Sequence, residues 1–486
     1  MKKKFIINLA ILLFLNLFVK LFWIFKIDRT VQNTVGAEAY GTYFSLFSLS
    51  VILNIFVDAG TTNFNNRLVA RNHGSIAVNF PNIVVLKIML SVLYAAICIA
   101  TGLILHYDRQ QFLLLLILIL NQALASFLLF MRSNISGLQH FITDSILSVL
   151  DRFVVIVICG LLLWTSLPGK PFRIEWFAYA QTLGYGLALF MAILLLVRQT
   201  GRLSIHPEKK VIIDIVRQSI PYALLILLMG IYNRIDSVML ERMLPSDGKT
   251  QAGIYAQAFR LLDAVSMFGV LFAGLLLPMF SRMLARKENI GDLLQLASLL
   301  ILIPSVLLCF GSWTYARPIM QALYPLHADL SAQILSFLMT GFLGIAITYI
   351  FGTLLTANGS LRELNLMALV ILTLNLLLNL LLIPRMQAKG SAVSSMITQI
   401  VAAVIQVILA RRILHLKVNR NILGKILLFL VLSFTMALGS THLTKYWLVN
   451  FAIFLLGGFI LAEILKLFSI PGLIRLIRNE NPLRGN

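Results

Sequence analysis

Long apolar segments recur from one end of this chain to the other. Each is about 20 residues long, the length that an α-helix needs to cross the hydrocarbon of a bilayer. Because lipid offers no hydrogen-bond partners, such segments satisfy their backbone groups internally, as helices do. The predicted spans are residues 5–25, 38–58, 81–105, 111–131, 145–167, 175–197, 218–240, 252–277, 293–315, 331–355, 361–383, 387–410, 422–440 and 446–466. The sequence therefore predicts an all-α integral membrane protein of about fourteen transmembrane helices.

The composition agrees with this prediction and narrows the function. The chain is 59% hydrophobic and 12% charged, whereas soluble domains are about 45–50% apolar and about 25% charged. Its net charge of +21 would suit nucleic acid, anionic lipid or an anionic substrate. Nucleic-acid binding needs a basic, water-exposed domain. The segments between the spans are too short for such a domain, so we set nucleic acid aside.

Lys and Arg residues are unevenly distributed between the two sets of loops. They are more numerous in the segments that share a side with the N-terminus than in the opposite loops. Cytoplasmic loops carry the excess of basic residues in membrane proteins. The sequence therefore predicts that both termini lie in the cytoplasm.

Two parts of the chain carry the same residues at the same spacing. The matches are Tyr40 with Tyr255, Phe44 with Phe259, Leu46 with Leu261, and the segment 67–71 with the segment 282–286. Repeats of equal orientation are related by an axis along the membrane normal. We therefore predict two parallel six-helix lobes, residues 1–200 and 214–412, around a central cavity. Residues 420–470 supply two additional transmembrane helices.

Basic residues inside the spans are the first candidates for a binding site. A charge at the bilayer centre costs at least about 2.5–3.5 kcal/mol, so such residues usually face a protein interior or a wet cavity. Lys20 and Arg234 lie at similar depth in the first and seventh spans, and Arg260 lies in the eighth. Together they would hold a compact anion such as a diphosphate. Lys87, near the cytoplasmic face in the third span, would help to admit such an anion. Snorkelling to the interface is the alternative for Lys20, Arg234 and Lys87.

Two carboxylates accompany these cations. Asp236 follows Arg234 closely, and Asp263 shares a helix face with Arg260. One interpretation is a structural ion-pair network that holds the lobe together. The other is an ion-coupling site, at which Asp236 or Asp263 takes up a proton or a sodium ion while Arg260 contacts the substrate. Asp151 and Arg152 are predicted to form a local pair or an interfacial anchor in the fifth span.

Polar residues of the eleventh span complete the candidates. Asn375 and Asn379 are one helical turn apart and would bond either sugar hydroxyls or a neighbouring helix. The three cysteines lie in apolar runs, and the seven histidines show no ligand spacing. We also find no phosphate-binding loop of a nucleotide site. The sequence therefore predicts no metal, no cofactor and no transport driven by ATP hydrolysis in this chain.

Several short motifs resemble those of a known family. They are Gly36-Ala-Glu-Ala-Tyr-Gly-Thr-Tyr43, Asp58-Ala-Gly60, Tyr232-Asn-Arg-Ile-Asp236, Gly253-Ile-Tyr255, Thr356-Ala-Asn-Gly359, Asn375 with Asn379, Ile383-Pro384 and Lys389-Gly-Ser-Ala392. In these motifs the chain resembles the polysaccharide flippases of the MOP (MATE-like) superfamily, which export O-antigen and capsule repeat units, and the resemblance covers nearly the whole chain. It implies a bacterial inner-membrane flippase without covalent chemistry of its own. The implied substrate is an undecaprenyl-diphosphate-linked oligosaccharide, moved from the cytoplasmic to the outer leaflet by alternating access.

Two other functions stay open at this point. A multidrug or other lipid exporter of the same superfamily would have the same architecture. A membrane glycan polymerase or ligase would need catalytic groups on the outer side, and the outer loops are short and poor in carboxylates. The partners expected for a flippase are the lipid-linked oligosaccharide, membrane lipids and other polysaccharide-assembly proteins.

Overall fold

The computed structural model describes residues 17–62, 65, 69, 75–138, 140–165, 169, 171–200, 208–416 and 420–467. Twelve helices in these residues are long and apolar enough to cross a membrane. They are α1 (Leu17–Asp58), α2 (Ser75–Ile104), α3 (Arg109–Gly137), α4 (Phe141–Trp164), α5 (Ile174–Thr200), α6 (Lys209–Met243), α7 (Gly248–Ala285), α8 (Gly291–Leu323), α9 (Ala328–Ala357), α10 (Leu361–Leu414), α11 (Arg420–Ser440) and α12 (Trp447–Ile464). The all-α membrane fold is therefore confirmed.

The fourteen predicted spans correspond to twelve helices, because α1 and α10 are each bent and each contain two of the spans. In α1 the bend is at Gly36, whose φ of 83° and ψ of 168° form a backbone conformation that is essentially restricted to glycine. In α10 the bend is at Gln387, with φ 52°. The start of the first predicted span lies outside the described residues. We call residues 17–35 and 37–58 the first and second arms of α1.

The described residues divide into two compact units. The first unit comprises Met1–Arg260 and Leu376–Ser391, and the second comprises Leu261–Asn375 and Ala392–Asn486. In the first unit α3 and α4 pack on α5, and α1 packs on α6. In the second unit α8 packs on α9 and also contacts α11 and α12. The six-helix lobes 1–200 and 214–412 and the appended segment 420–470 stay predictions.

Large apolar side chains on the outside of the helices show which faces suit lipid. Leu183 and Phe190 on α5, and Leu456 and Ile460 on α12, each expose more than half of their surface. Such surfaces are disfavoured in water and are stable against hydrocarbon.

At its beginning α3 is fixed by a capping box, in which Asp108 accepts a hydrogen bond from the N–H of Gln111 at 2.8 Å.

The predicted orientation has a direct test. A single cysteine placed at Ser246 should react with a membrane-impermeant maleimide added outside intact cells, and one placed at Asn289 should not. Both residues are exposed at helix ends. Cys98, Cys159 and Cys309 are buried, so they contribute little background. Labelling at Asn289 together with protection at Ser246 would reverse the orientation.

Candidate functional site

A buried ion pair joins the first arm of α1 to α7. The Nε of Arg260 lies 3.2 Å from Oδ2 of Asp28, and the two side chains are 5% and 0% exposed. Arg260 also donates from Nε to the hydroxyl of Tyr40 at 3.0 Å. The carboxylate of Asp28 accepts from Tyr40 at 2.8 Å and from Gln32 at 3.0 Å. Arg260 is therefore held inside the first unit by a carboxylate that the sequence analysis did not select.

Aromatic rings surround the Arg260 guanidinium. Its Cζ lies 5.2 Å from the ring centre of Phe44, 5.6 Å from that of Phe47 and 5.7 Å from that of Trp23. A cation over an aromatic face is attracted by the ring quadrupole. Trp23 belongs to a π-helical turn of α1, Trp23–Asp28, which also carries the carboxylate partner. Turns of this type are frequent at functional sites.

Two further cations lie in the same region of the first unit. The Cζ of Arg152 is 4.6 Å from the Trp23 ring centre, and its Nη2 donates to the hydroxyl of Tyr185 at 3.1 Å. Its Nε lies 3.5 Å from Asp151, so the predicted local pair is present. Lys20 is half-buried and lies within electrostatic range of both Arg152 and Asp151. Lys20, Arg152 and Arg260 form what we call the basic cluster.

A second polar network surrounds Asp236 on α6. Its Oδ2 accepts from the Tyr255 hydroxyl at 2.9 Å, and its Oδ1 accepts from the Asn379 amide at 2.8 Å. Asn379 in turn accepts at 3.1 Å from the hydroxyl of Ser391. All of the side chains named here are fully or almost fully buried. The structure thus brings together Asp236 and Asn379, two of the sequence candidates.

The two networks show which residues correspond in the internal repeat. Tyr40 and Tyr255 each donate to an Asp on the preceding helical segment, 12 residues away in the first case and 19 in the second. The sequence Lys26-Ile-Asp28 therefore corresponds to Arg234-Ile-Asp236. On this alignment the counterpart of Arg234 is Lys26 and not Lys20, which the sequence analysis had placed at similar depth. Arg234 itself is half-buried, with Cζ 4.9 Å from the ring centre of Phe259.

Lys87 lies apart from these networks and does not snorkel. Its side chain is 0% exposed, and its Nζ lies 2.6 Å from Oδ1 of Asp58 and 2.7 Å from the hydroxyl of Ser126. The snorkelling alternative for this residue is therefore wrong, because the partly buried carboxylate of Asp58 stabilises the ammonium inside the protein. A substrate would have to compete with Asp58 for this ammonium.

The other sequence candidates have separate surroundings. Asn375 is fully buried in the second unit, and its amide donates to Thr398 at 3.4 Å across the bend of α10. This contact matches the interhelical alternative. Asp263 is half-buried in the second unit. The basic segment 67–71 of the repeat lies mostly outside the described residues.

At the predicted outer side, α1 and α7 meet through two glycines. A methyl group at Gly253 would overlap the carbonyl oxygen of Ala37, and one at Gly41 would overlap that of Lys249. Beside this contact Glu241 accepts from Ser45 at 2.8 Å and also from the amide of Gln111. Backbones that approach this closely hold the outer ends of these helices together.

A polar cavity of about 430 Å³ opens beside the same helix ends. Its lining includes Glu38, Asp108, Arg173, Glu175 and Lys249. Partial burial opposes ionisation of Asp108, but the Gln111 N–H and the Lys249 ammonium outweigh it and hold the pKa of Asp108 below its usual value. The lining offers donors and acceptors to polar ligands. Among the described residues, no group of three or more His, Cys, Asp or Glu side chains could hold a metal ion.

Sequence reasoning missed Asp28 and the role of Arg152. Asp28 lies just beyond the predicted end of the first span, and the structure shows that the helix continues past it to the bend at Gly36. The duplicated Lys-Ile-Asp and Arg-Ile-Asp sequences were the signal that would have found it. No pattern in the sequence indicated that Arg152 contacts Trp23.

Solved structures with the same fold are transporters. The lipid II flippase MurJ in an inward closed conformation matches with a TM-score of 0.70 and 16% identity, over 96% of this chain and 99% of that one. The Vibrio cholerae MATE transporter VcmN matches with 0.59 and 14%, over 84% of this chain and 96% of that one. A MOP superfamily transporter from Pyrococcus furiosus matches with 0.59 and 15%, over 84% of this chain and 94% of that one. None of the curated proteins matches this chain.

The family profile described as polysaccharide biosynthesis protein matches residues 8–284, more than half of the chain. The match includes the first arm of α1, Asp236 and Arg260. Both buried networks therefore draw residues from the matched region. The chain belongs to the polysaccharide biosynthesis protein family, on the fold shared by MurJ and the MATE transporters.

Proposed function

We propose that this protein is a flippase for an undecaprenyl-diphosphate-linked oligosaccharide. It moves this substrate from the cytoplasmic to the outer leaflet of the bacterial inner membrane, by alternating access, during assembly of a cell-surface polysaccharide such as O-antigen. Membership of a polysaccharide biosynthesis family supports the substrate class. The likeness in fold to a lipid II flippase supports the type of transport.

The observation that carries this proposal is the basic cluster. Arg152 and Arg260 both lie beside Trp23, and Lys20 lies within electrostatic range of Arg152. All three are in helices that cross the membrane, where a charge is costly. Asp28 pairs with Arg260, and Asp151 pairs with Arg152. The three cations of this cluster suit an anionic head group. Arg can bind a phosphate through two parallel hydrogen bonds.

The other sequence candidates would act at other points of the transport cycle. Arg234 and Lys87 would add positive charge along the path, and Asn375 and Asn379 would contact sugar hydroxyls during transport. Asp236 or Asp263 would exchange a proton or a sodium ion. Transport assays with an imposed gradient of either ion distinguish the two.

A multidrug exporter is the second candidate, because several structures of this fold are multidrug resistance transporters. Such a protein would accept organic cations. The cations of the basic cluster oppose them, so we favour the anionic substrate. A membrane polymerase or ligase has less support, because the solved structures named above are transporters.

The test uses purified protein in vesicles that contain the lipid-linked oligosaccharide. Arg260→Lys keeps the charge beside Asp28 but loses the planar guanidinium. Losing one charge-assisted hydrogen bond costs about 1.5–3 kcal/mol, so translocation should fall about ten-fold or more. The amount of folded protein should stay near that of the wild type, because the ion pair is retained.

The matched control is Arg317→Lys. Arg317 forms an exposed ion pair with Asp329, with side chains 69% and 67% exposed, and should tolerate the change. Unchanged translocation by Arg260→Lys would contradict a substrate contact there. Uptake of an organic cation such as ethidium, without movement of the lipid-linked oligosaccharide, would favour the drug exporter.

A further inference from the structure

The polar cavity of about 430 Å³ is lined by four separate segments of the first unit. They are residues 34–42 of α1, residues 108–114 around the beginning of α3, residues 172–175 around the beginning of α5, and Lys249 at the beginning of α7. In the predicted topology all four segments lie on the outer side of the membrane. Sites for small molecules usually have volumes of about 300–1,000 Å³. The cavity is therefore large enough for a small ligand that arrives from the outer side.

Hydrogen-bond donors and acceptors alternate around this cavity. The Nζ of Lys249 lies 3.3 Å from Oδ2 of Asp108, and the Nη2 of Arg173 lies 3.4 Å from Oε1 of Glu175. The carboxylate of Glu38 is a fifth charged group of the lining and is exposed. A carboxylate accepts several hydrogen bonds, and an ammonium or a guanidinium donates several. Each ion pair uses only part of this capacity, and the rest is available to a ligand.

The mixture of charges favours a ligand with many hydroxyl groups. A hydroxyl donates to a carboxylate and accepts from a cation, so it uses both kinds of group in the lining. The three carboxylates oppose a simple anion, and Lys249 and Arg173 oppose an organic cation. A metal ion has little support, because in the part of the chain that the structure describes no three His, Cys, Asp or Glu side chains are placed to hold one.

Apolar side chains also line the cavity. Leu114, Phe172 and Ile174 are at most 9% exposed, so they form its deeper part. The ring of Trp176 packs edge-on against that of Phe172, with 5.9 Å between the ring centres. Small-molecule sites commonly combine apolar walls with a few polar groups that fix orientation. A sugar ring matches this lining, because its C–H groups pack on apolar side chains while its hydroxyls reach the charged groups.

We propose that this cavity is a second binding site, which holds sugar residues of the oligosaccharide on the outer side of the membrane. Glu38 and Asp108 accept hydrogen bonds from sugar hydroxyls, and Arg173 and Lys249 donate to them. The site is separate from the basic cluster and needs no phosphate. The inference rests on the proposed function, because the oligosaccharide is part of the substrate proposed above.

The experiment measures protection of a cysteine in the cavity lining. The probe is the repeat-unit oligosaccharide of the cell's own surface polysaccharide, released from its lipid carrier by mild acid. Gln110 lines the cavity and is exposed, so the Gln110→Cys protein in detergent should react with a fluorescent maleimide. The released oligosaccharide should slow this reaction. It should not slow the reaction of Ser246→Cys, which is exposed outside the lining.

Two further variants, each added to the Gln110→Cys protein, test the proposed acceptors. Glu38→Gln and Asp108→Asn should each raise the oligosaccharide concentration for half-protection about five-fold, because an ionised acceptor forms a hydrogen bond about twice as strong as a neutral one. Asparagine caps a helix as well as aspartate does, so α3 should keep its N-terminal cap. The matched control is Asp329→Asn, which removes an exposed carboxylate of the second unit and should leave protection unchanged.

Several results would overturn the inference. They are no protection of Gln110→Cys, equal protection of Ser246→Cys, and protection that neither Glu38→Gln nor Asp108→Asn weakens. Protection by Mg²⁺ or tetraethylammonium without protection by the oligosaccharide would assign the cavity to a cation instead. The flippase proposal has its own readout in the vesicles. If the lipid-linked oligosaccharide is translocated but the released oligosaccharide does not protect, only this inference fails. If protection occurs without translocation, the flippase proposal fails and the sugar site stands.

Discussion

Replacing Asp28 with alanine should sharply reduce the amount of folded protein in the membrane. The change removes from Arg260 its carboxylate partner on α1, and it removes an acceptor for Tyr40 and Gln32. Removing one member of a buried ion pair typically costs about 3–5 kcal/mol. The measurements are abundance after membrane extraction and the midpoint of thermal unfolding in detergent.

The double variant Asp28→Ala with Arg260→Ala tests the reason for this loss. With both charges removed, no unpaired charge remains, so abundance should recover in part. Transport should not recover, because the substrate contact of Arg260 is lost as well. If the single Asp28→Ala variant were as abundant as the wild type, the ion pair would not be a structural requirement.

Replacing Gly253 with alanine should separate the second arm of α1 from α7. The added methyl group would overlap the backbone carbonyl of Ala37, which cannot move away as a flexible side chain would. Overpacking of this kind costs about 1–3 kcal/mol, and more where the backbone has to shift. The thermal midpoint should therefore fall clearly.

Gly274→Ala is the matched control on the same helix. A methyl group at Gly274 would meet nothing within 4 Å. Because alanine favours the helical conformation over glycine by about 1 kcal/mol, this variant should be as stable as the wild type or slightly more stable. A Gly253→Ala protein that unfolds at the wild-type temperature would show that the two helices are not in close contact there.

The apolar spans could be predicted from sequence because hydrocarbon imposes one simple rule on length and composition. The two bends were harder to predict. A glycine such as Gly36 is compatible with a helix, a turn or a bend, and Gln387 is not a residue that favours positive φ. The pattern predicted separate spans at 361–383 and 387–410 and could not show that α10 continues through both as one bent element.

The candidate site was predicted in part. Arg260, Asp236 and Asn379 were selected because charges and amides are costly in a span, and the structure buries all three. Their partners were not predictable, since Asp28, Tyr40 and Tyr255 reach them from other helices. Which helices become neighbours is decided by packing of the whole bundle. For the same reason Lys87 was expected at the interface and is instead paired with Asp58.

The burial of the Arg260–Asp28 pair determines how the protein responds to ionic strength. Mobile ions screen exposed charges over about 8 Å in a physiological buffer, but they screen buried pairs much less. The exposed Arg317–Asp329 pair is therefore weakened by added salt, whereas the pair beside Trp23 is weakened much less. A concentrated salt wash can thus release proteins that are bound to the membrane surface by exposed charges, while the ion pair between α1 and α7 stays formed.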